Sequence, residues 1–214
     1  MKIRCLILVA VVAGITTVNQ GAVVFPSASG LVVYDSSTDT SQFIPTTSGI
    51  SYFAGSVGNY SVVITTGQTV NGGPDPILSL NVAATRNAGG TSLLIFYSDI
   101  GFGPSFGTYS LSTFLASGPL SSFAFLSPLN TPFGQDVSLG GSADAQASVT
   151  VNASGPINAG APFSLTIEDI VTGNVVSANT ELTVVPVPEP GEIALMSLGG
   201  VFMCIILLRR KLAA

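Results

Sequence analysis

The sequence predicts an all-β domain, an antiparallel sandwich of two sheets, flanked by an apolar segment at each end of the chain. Three observations lead to this prediction. Apolar and polar residues alternate with a period of two in several segments of residues 23–185, turns rich in glycine and proline separate these segments, and the region lacks a helical period. Segments 1–22 and 186–214 differ from this region in hydropathy and charge.

Period-two alternation marks the clearest strands. In Ala145–Ala153 every apolar residue holds an odd position, and Phe163–Glu168 and Leu78–Val82 repeat the pattern. Successive side chains of a strand point to opposite faces, so each segment should turn one apolar face to a core and one polar face to water. The side chains that we expect to be buried are Ala147, Val149, Val151, Phe163, Leu165 and Ile167.

Two denser apolar runs, Tyr60–Thr65 and Ser92–Tyr97, are typical of strands that are buried on both faces or central in a sheet. With the remaining candidates they give nine or ten short strands, which favours a sandwich over a closed barrel or a short β-solenoid. No clear internal repeat supports the solenoid. The remaining strand candidates are Leu31–Tyr34, Thr108–Phe114, Ser122–Leu126 and Thr180–Val185.

Turn signals separate these candidates, because glycine adopts positive φ without steric cost and proline removes a donor from the ladder. The turns predicted in this way are Asn71–Pro74, Asn87–Gly90, Gly101–Pro104, Gly140-Gly141 and Thr172–Asn174.

Residues 1–22 have the layout of a secretory signal peptide. Lys2 and Arg4 precede an apolar run that extends from Cys5 to Ile15, and small and polar residues follow. The run is short for a membrane span, and a buried N-terminal strand or helix is the alternative. We expect cleavage near Ala22 and export of the domain at residues 23–185.

Residues 186–214 combine three features in a fixed order. A stiff segment containing Pro188, Glu189 and Pro190 comes first, and Ile193–Leu208 follows as sixteen residues without a charge. Arg209, Arg210 and Lys211 then end the apolar run, and we expect them to stay on the cytoplasmic side and stop translocation. The pattern predicts a single transmembrane helix at residues 193–208.

This order of features resembles the PEP-CTERM sorting signal. The resemblance implies that an exosortase recognises the tail, cuts near Pro188-Glu189-Pro190 and delivers the protein from a single-pass inner-membrane precursor to the cell surface or the extracellular space. An ordinary membrane anchor is the alternative.

The region 23–185 also resembles an uncharacterised group of domains that occur with this sorting signal. The segments that carry the likeness are Gly55–Gly67, Ile77–Val82, Thr91–Asp99 and Pro162–Thr166. This resemblance implies export and an extracellular all-β domain, without a known activity.

Charge excludes nucleic acid as a partner. Residues 23–185 contain one basic residue, Arg86, against nine acidic residues, and therefore carry a net charge of −8. Such a domain repels polyanions and lacks the basic stripe that nucleic-acid binding requires.

The residue types predict no catalytic residue, no cofactor and no metal site. The chain has no histidine, and residues 23–185 have neither cysteine nor lysine, which removes the usual nucleophile systems and zinc. A carboxylate pair would be the remaining catalytic device, but Glu168 and Asp169 are adjacent and should lie on opposite strand faces. We therefore expect a protein that is not an enzyme.

Calcium is the metal that the acidic residues could take, through Asp35, Asp39 and Asp75 in loops. The alternative, which we favour, is that these are turn residues whose carboxylates bond local backbone groups.

Two functions are compatible with these features. The first is a structural role in the surface or extracellular matrix, and the second is a module that binds polysaccharide, such as exopolysaccharide, or another cell. A cluster of exposed aromatic side chains would favour binding. The residues to examine are Tyr52, Phe53, Phe102 and Phe106.

Overall fold

The computed structural model describes residues 23–46, 50–69, 76–103, 105–145, 149–159 and 162–186, and these residues form twelve strands and no helix. The strands are β1 (Gly30–Asp35), β2 (Thr40–Pro45), β3 (Ile50–Val57), β4 (Tyr60–Thr69), β5 (Ile77–Arg86), β6 (Leu93–Phe102), β7 (Ser105–Ser117), β8 (Leu120–Ser127), β9 (Val137–Ala145), β10 (Val149–Ala159), β11 (Phe163–Val171) and β12 (Val175–Pro186).

The strands form two six-stranded sheets in which every pairing is antiparallel. Sheet I has the order β2-β1-β6-β11-β8-β9, and sheet II has the order β10-β7-β12-β5-β4-β3. At the sides of the sandwich β9 approaches β10 and β2 approaches β3. The predicted all-β, antiparallel two-sheet sandwich is confirmed.

One hydrophobic core fills the space between the sheets. Leu182 of β12 lies between its register partners Leu111 of β7 and Leu78 of β5, and all three side chains are buried. In sheet I, Ile167 of β11 pairs with Tyr97 of β6 in the same way. Each fully buried side chain of this size contributes about 1.5–3 kcal/mol relative to an exposed one, so alternation along the strands stabilises the sandwich.

The structure confirms the predicted burial of Phe163, Leu165 and Ile167. Ala147 and the side chains of Val149 and Val151 lie outside what the structure describes. The dense run at Ser92–Tyr97 becomes β6, which is buried on both faces as predicted. The other dense run becomes β4, an interior strand that exposes Ser61 and Val63 on its outer face.

The polar side of β11 corrects one expectation. Ser164, Thr166 and Glu168 do not face water, because segments 23–29 and 128–136 cover the outer face of sheet I. Thr166 and Ser164 bond carbonyl groups of segment 128–136, so their hydroxyls are satisfied by protein rather than by solvent. Period-two alternation locates the strand, but it does not show that chain segments distant in sequence cover its polar face.

The structure contains three strands that alternation did not predict, β2, β3 and β9. The predicted turn at Gly140-Gly141 is wrong, since both residues lie inside β9. The register of β9 against β8 shifts there, and Gly140 has a φ of 119°. A Cβ on Gly141 would collide with the ring of Phe123. Glycine therefore serves a bulge and a close approach within a strand at this position, rather than a turn.

Several predictions concern residues that the structure does not describe. The signal peptide at residues 1–22, the turn at Asn71–Pro74, the sorting tail from residue 187 and the helix at residues 193–208 all lie outside the described residues. Within the part of the chain that the structure describes, no helix is long and apolar enough to cross a membrane.

Candidate binding surface

Asp35 ends β1 and organises the turn that follows. Its Oδ1 accepts hydrogen bonds from the backbone N–H of Ser37 at 2.9 Å and from the Ser37 hydroxyl at 2.6 Å, and its Oδ2 accepts one from the backbone N–H of Asn59 at 2.7 Å. Burial alone would raise the pKa of Asp35, but the hydrogen bonds from Asn59, Ser37 and Thr38 outweigh it and lower the pKa. The carboxylate is thus engaged with turn donors.

Asp39, the second acid of this loop, has a different environment. It is exposed, has a left-handed φ of 54° and accepts a hydrogen bond from the Tyr34 hydroxyl at 3.0 Å. Asp75 lies outside the described residues. In the described parts of the chain no three metal-binding side chains come together. The hydrogen bonds of Asp35 fit the turn interpretation of this residue.

Glu168 and Asp169 lie on opposite faces of β11, as predicted. Asp169 is fully buried between the sheets and accepts hydrogen bonds from the hydroxyls of Ser122 at 2.7 Å and Thr180 at 3.1 Å. Burial raises the pKa of Asp169 to about 7 although these hydrogen bonds act in the other direction. Asp169 therefore joins β8 and β11 of sheet I to β12 of sheet II.

Glu168 is buried on the outer face of sheet I, where the Gln135 amide donates to its Oε2 at 3.3 Å. Burial, and then the nearby charge of Asp169, raises the pKa of Glu168 to about 7. The sheet separates the two carboxyl groups, so they do not converge on a common space in which a substrate could lie.

Of the four aromatic residues selected from the sequence, the three whose side chains are described do not form an exposed cluster. Phe102 is buried and contacts Phe163, with 5.6 Å between the ring centroids. Phe53 is half-buried and packs against the core, whereas Tyr52 is 61% exposed. The side chain of Phe106 lies outside what the structure describes. Phe102 contributes no exposed ring, because it ends β6 on the core side.

Arg86, the only basic residue of residues 23–185, is also hydrogen-bonded within the fold. Its guanidinium donates to the Tyr60 hydroxyl at 2.9 Å and to the backbone carbonyls of Thr91 at 3.1 Å and Thr172 at 2.8 Å. It also lies over the Tyr60 ring, 5.3 Å from the centroid. Arg86 thus fastens two turns at one end of the sandwich.

The outer faces of the two sheets differ. On sheet I, Phe25 contacts Phe96 edge-on at 4.9 Å and stacks on Phe133 at 5.2 Å between centroids, so chain segments cover this face. On sheet II, the outward-facing side chains of β5, β7 and β12 are exposed or half-exposed. Among the described residues, the sandwich therefore presents one broad, open sheet face to solvent.

Register places specific side chains side by side on this open face. Asn152, Ser112, Glu181 and Ser79 align across β10, β7, β12 and β5, and Phe114 is the partner of Asn179 in the adjoining row. Neighbours in such a row lie about 4.5–5.5 Å apart. Phe114 is 53% exposed. The face is thus rich in hydroxyl and amide groups. Its described apolar members include Phe114, Val63, Val175 and Val185.

Sequence reasoning missed this surface. The alternation of β7 indicates that Ser110, Ser112 and Phe114 lie on the same face of the strand, because they occupy every second position. Only the pairing of β7 with both β10 and β12 shows that their polar faces form one surface.

Comparisons with known proteins give only distant structural likenesses. No protein-family model matches the chain, and no curated protein matches it. Solved structures share the sandwich distantly. They include a family 35 carbohydrate-binding module from Clostridium thermocellum (TM-score 0.29, 13% identity, 71% of this chain and 96% of that chain). The K1 cleaved adhesin domain of Lys-gingipain from Porphyromonas gingivalis W83 gives a TM-score of 0.34, 7% identity and coverage of 60% and 91%.

A third similar structure is the enzymatically active domain of tailspike protein 4 of bacteriophage CBA120 (TM-score 0.31, 8% identity, 60% of this chain). The aligned part spans 19% of that chain. At these identities and TM-scores the likenesses carry no argument about function. The protein is an all-β sandwich distantly similar in structure to carbohydrate-binding modules and adhesin domains.

Proposed function

We propose that the sandwich is a non-catalytic module that binds a neutral polysaccharide on the outer face of sheet II. One observation carries the proposal: described segments of the chain cover the outer face of sheet I, whereas none of the described segments covers the equivalent face of sheet II. The outer faces of β5, β7 and β12 are therefore accessible to a ligand.

The chemistry of the open face favours a neutral ligand with many hydroxyl groups. Serine, threonine and asparagine side chains both donate and accept hydrogen bonds, and they match sugar hydroxyls. Glu181 is the one charged side chain among those described on this face. Arg86 is committed elsewhere, so the described surface offers no cation that would hold an acidic polymer.

Phe114 supplies the apolar contact. Its exposed ring lies beside Asn179, so a sugar could pack its C–H face on the ring while the amide bonds its hydroxyls. Exposed aromatic residues contribute disproportionately to binding. We therefore assign Phe114 as the anchor of the surface.

Affinity electrophoresis through gels that contain neutral polysaccharides tests this proposal. We expect retardation of the wild-type protein, and a loss of affinity of at least about tenfold in Phe114→Ala, equivalent to about 1.4 kcal/mol. The control is Leu129→Ala, which removes an exposed apolar side chain from a loop of the other sheet. Equal retardation of both variants would contradict the assignment of Phe114.

A structural role in the surface matrix is the second candidate. The burial of Phe102 and the packing of Phe53 against the core favour it, because they remove the loop aromatics that a binding site would use. A wild-type protein that binds none of the neutral polysaccharides would support this second role.

We further propose that the protein is exported and that an exosortase processes it. The proposal rests on the sequence order of Pro188-Glu189-Pro190, the apolar run and Arg209-Arg210-Lys211. We expect the surface form to lack residues 193–208, and replacement of Pro188, Glu189 and Pro190 by alanine to retain the full-length chain in the inner membrane. Fractionation of the host with intact-mass analysis measures both outcomes. A surface form that keeps the apolar run would identify the tail as a plain anchor.

A further inference from the structure

The loop between β8 and β9, residues 128–136, covers the outer face of sheet I and is termed the cover loop. Hydrogen bonds fasten it to the sheet. The backbone N–H of Phe133 donates to the Ser98 hydroxyl at 2.8 Å, and the Ser164 hydroxyl donates to the carbonyl of Thr131 at 2.6 Å. Further hydrogen bonds run from the Gly101 N–H to Asn130 Oδ1 at 2.7 Å, from the Thr166 hydroxyl to the carbonyl of Gly134, and from the Gln135 amide to Glu168. The loop is therefore held by polar contacts along its length, together with the packing of one aromatic ring.

That ring belongs to a residue in a strained conformation. Phe133 has a φ of 56°, in the left-handed region that bulky residues rarely adopt. Its ring stacks on Phe25 and contacts Phe43 edge-on at 6.5 Å. Asn130 is left-handed as well, with a φ of 55°. The closed loop thus persists because its contacts compensate for the backbone strain.

Glu168 lies below this loop in apolar surroundings. Its register partners on the two neighbouring strands are Phe96 and Phe123, and Gln135 of the cover loop donates to it. A protonated carboxyl tolerates such a site, whereas a carboxylate there would have lost most of its hydration. The raised pKa, about 7, agrees with this geometry.

The charged groups around Glu168 do not compensate for a negative charge. Asp169, on the opposite face of β11, disfavours the ionisation of Glu168. Asp136 of the cover loop is a further acid and accepts a hydrogen bond from Ser127. Arg86, the only basic residue of residues 23–185, is bonded to Tyr60, Thr91 and Thr172.

We propose that the cover loop is a pH-sensitive lid, closed over Glu168 while this carboxyl is protonated and opened when the carboxyl ionises. Opening hydrates the carboxylate, relieves the strain at Phe133 and exposes the apolar surface formed by Phe25 and Phe96. The lid thereby couples the protonation of Glu168 to the exposure of apolar surface on sheet I.

The direction in which pH changes the stability of the closed lid follows from proton linkage. The closed state binds the proton more tightly than the open state, so the closed state loses stability as the pH rises from the ordinary range of a glutamate through about 7. We expect the opening equilibrium to increase at least about tenfold between pH 5 and pH 8.

Amide hydrogen exchange of the full-length chain, read by mass spectrometry and corrected for intrinsic exchange rates, measures this opening. Protection of residues 128–136 should fall at least about tenfold from pH 5 to pH 8. Protection of β6 should stay high and show that the sandwich itself is intact.

Two variants separate Glu168 from its neighbour. Glu168→Gln keeps the shape and an acceptor for Gln135 but cannot ionise, so its cover loop should stay protected at both pH values. Asp169→Asn removes the adjacent acid and should keep the pH-dependent opening. Protection of the wild-type loop that does not change with pH, or opening that persists in Glu168→Gln, would overturn the proposal.

Discussion

At the scale of single residues, the buried acids show how strongly the environment determines the role of a carboxyl group. Asp35 is surrounded by donors and has a lowered pKa, whereas Asp169 is enclosed between two sheets with hydroxyl partners and has a pKa of about 7. Both side chains are fully buried. Backbone N–H donors stabilise the charged form of Asp35, while burial dominates at Asp169.

Asp35→Asn should destabilise the fold by about 1–3 kcal/mol at pH 7, because it replaces one acceptor oxygen by an NH₂ group that faces a donor. The lowered pKa means that Asp35 stabilises the fold above its ordinary range and loses this effect as the pH falls through the folded-state pKa. The penalty of the substitution should therefore shrink in acid. Urea unfolding of the purified protein at pH 7 and pH 3 measures both effects.

The matched control is Asp39→Asn. Asp39 is exposed, and an amide oxygen can still accept the hydrogen bond from Tyr34, so we expect a change within about 0.5 kcal/mol. Equal destabilisation by the two substitutions would contradict the assignment of Asp35 as the centre of this turn.

At the scale of strands, the sequence predicts the strands that show apolar alternation or a dense apolar run. It misses the strands that are defined only by their pairing with other strands. Strands β5, β6 and β11 are recognisable because their core-facing residues alternate or run together. Strand β2 is mostly exposed and its apolar residues Phe43 and Ile44 are adjacent, so it shows no apolar alternation. Strand β9 contains a glycine pair that has the composition of a turn, and only the nearby Phe123 ring explains it.

For the candidate site residues too, local strand geometry was predictable, whereas contacts between distant elements were not. The opposite orientation of Glu168 and Asp169 follows from the period of a strand and is confirmed. Their burial could not be predicted, because it depends on how the cover loop and sheet II pack against β11, which the period of a strand does not show. The turn predicted at Gly101–Pro104 includes Phe102, but the structure places this residue at the end of β6, facing the core.

At the scale of the whole molecule, the two outer faces determine what the sandwich can do. Segments 23–29 and 128–136 cover sheet I, and sheet II stays open, with Phe114 among hydroxyl and amide side chains. Arg86, the one basic residue of residues 23–185, is bonded to Tyr60, Thr91 and Thr172. The open face itself emerges only when β10, β7, β12 and β5 are placed in register.

Hydroxyl-radical footprinting of the full-length chain, with and without a bound neutral polysaccharide, tests most directly that this open face is the binding surface. We expect several-fold slower oxidation of Phe114 and Val63 in the complex. Leu129 and Val24, which are exposed elsewhere, should react equally in both states. Unchanged oxidation of Phe114, with protection of Leu129 or Val24 instead, would place the ligand on another surface and contradict the account.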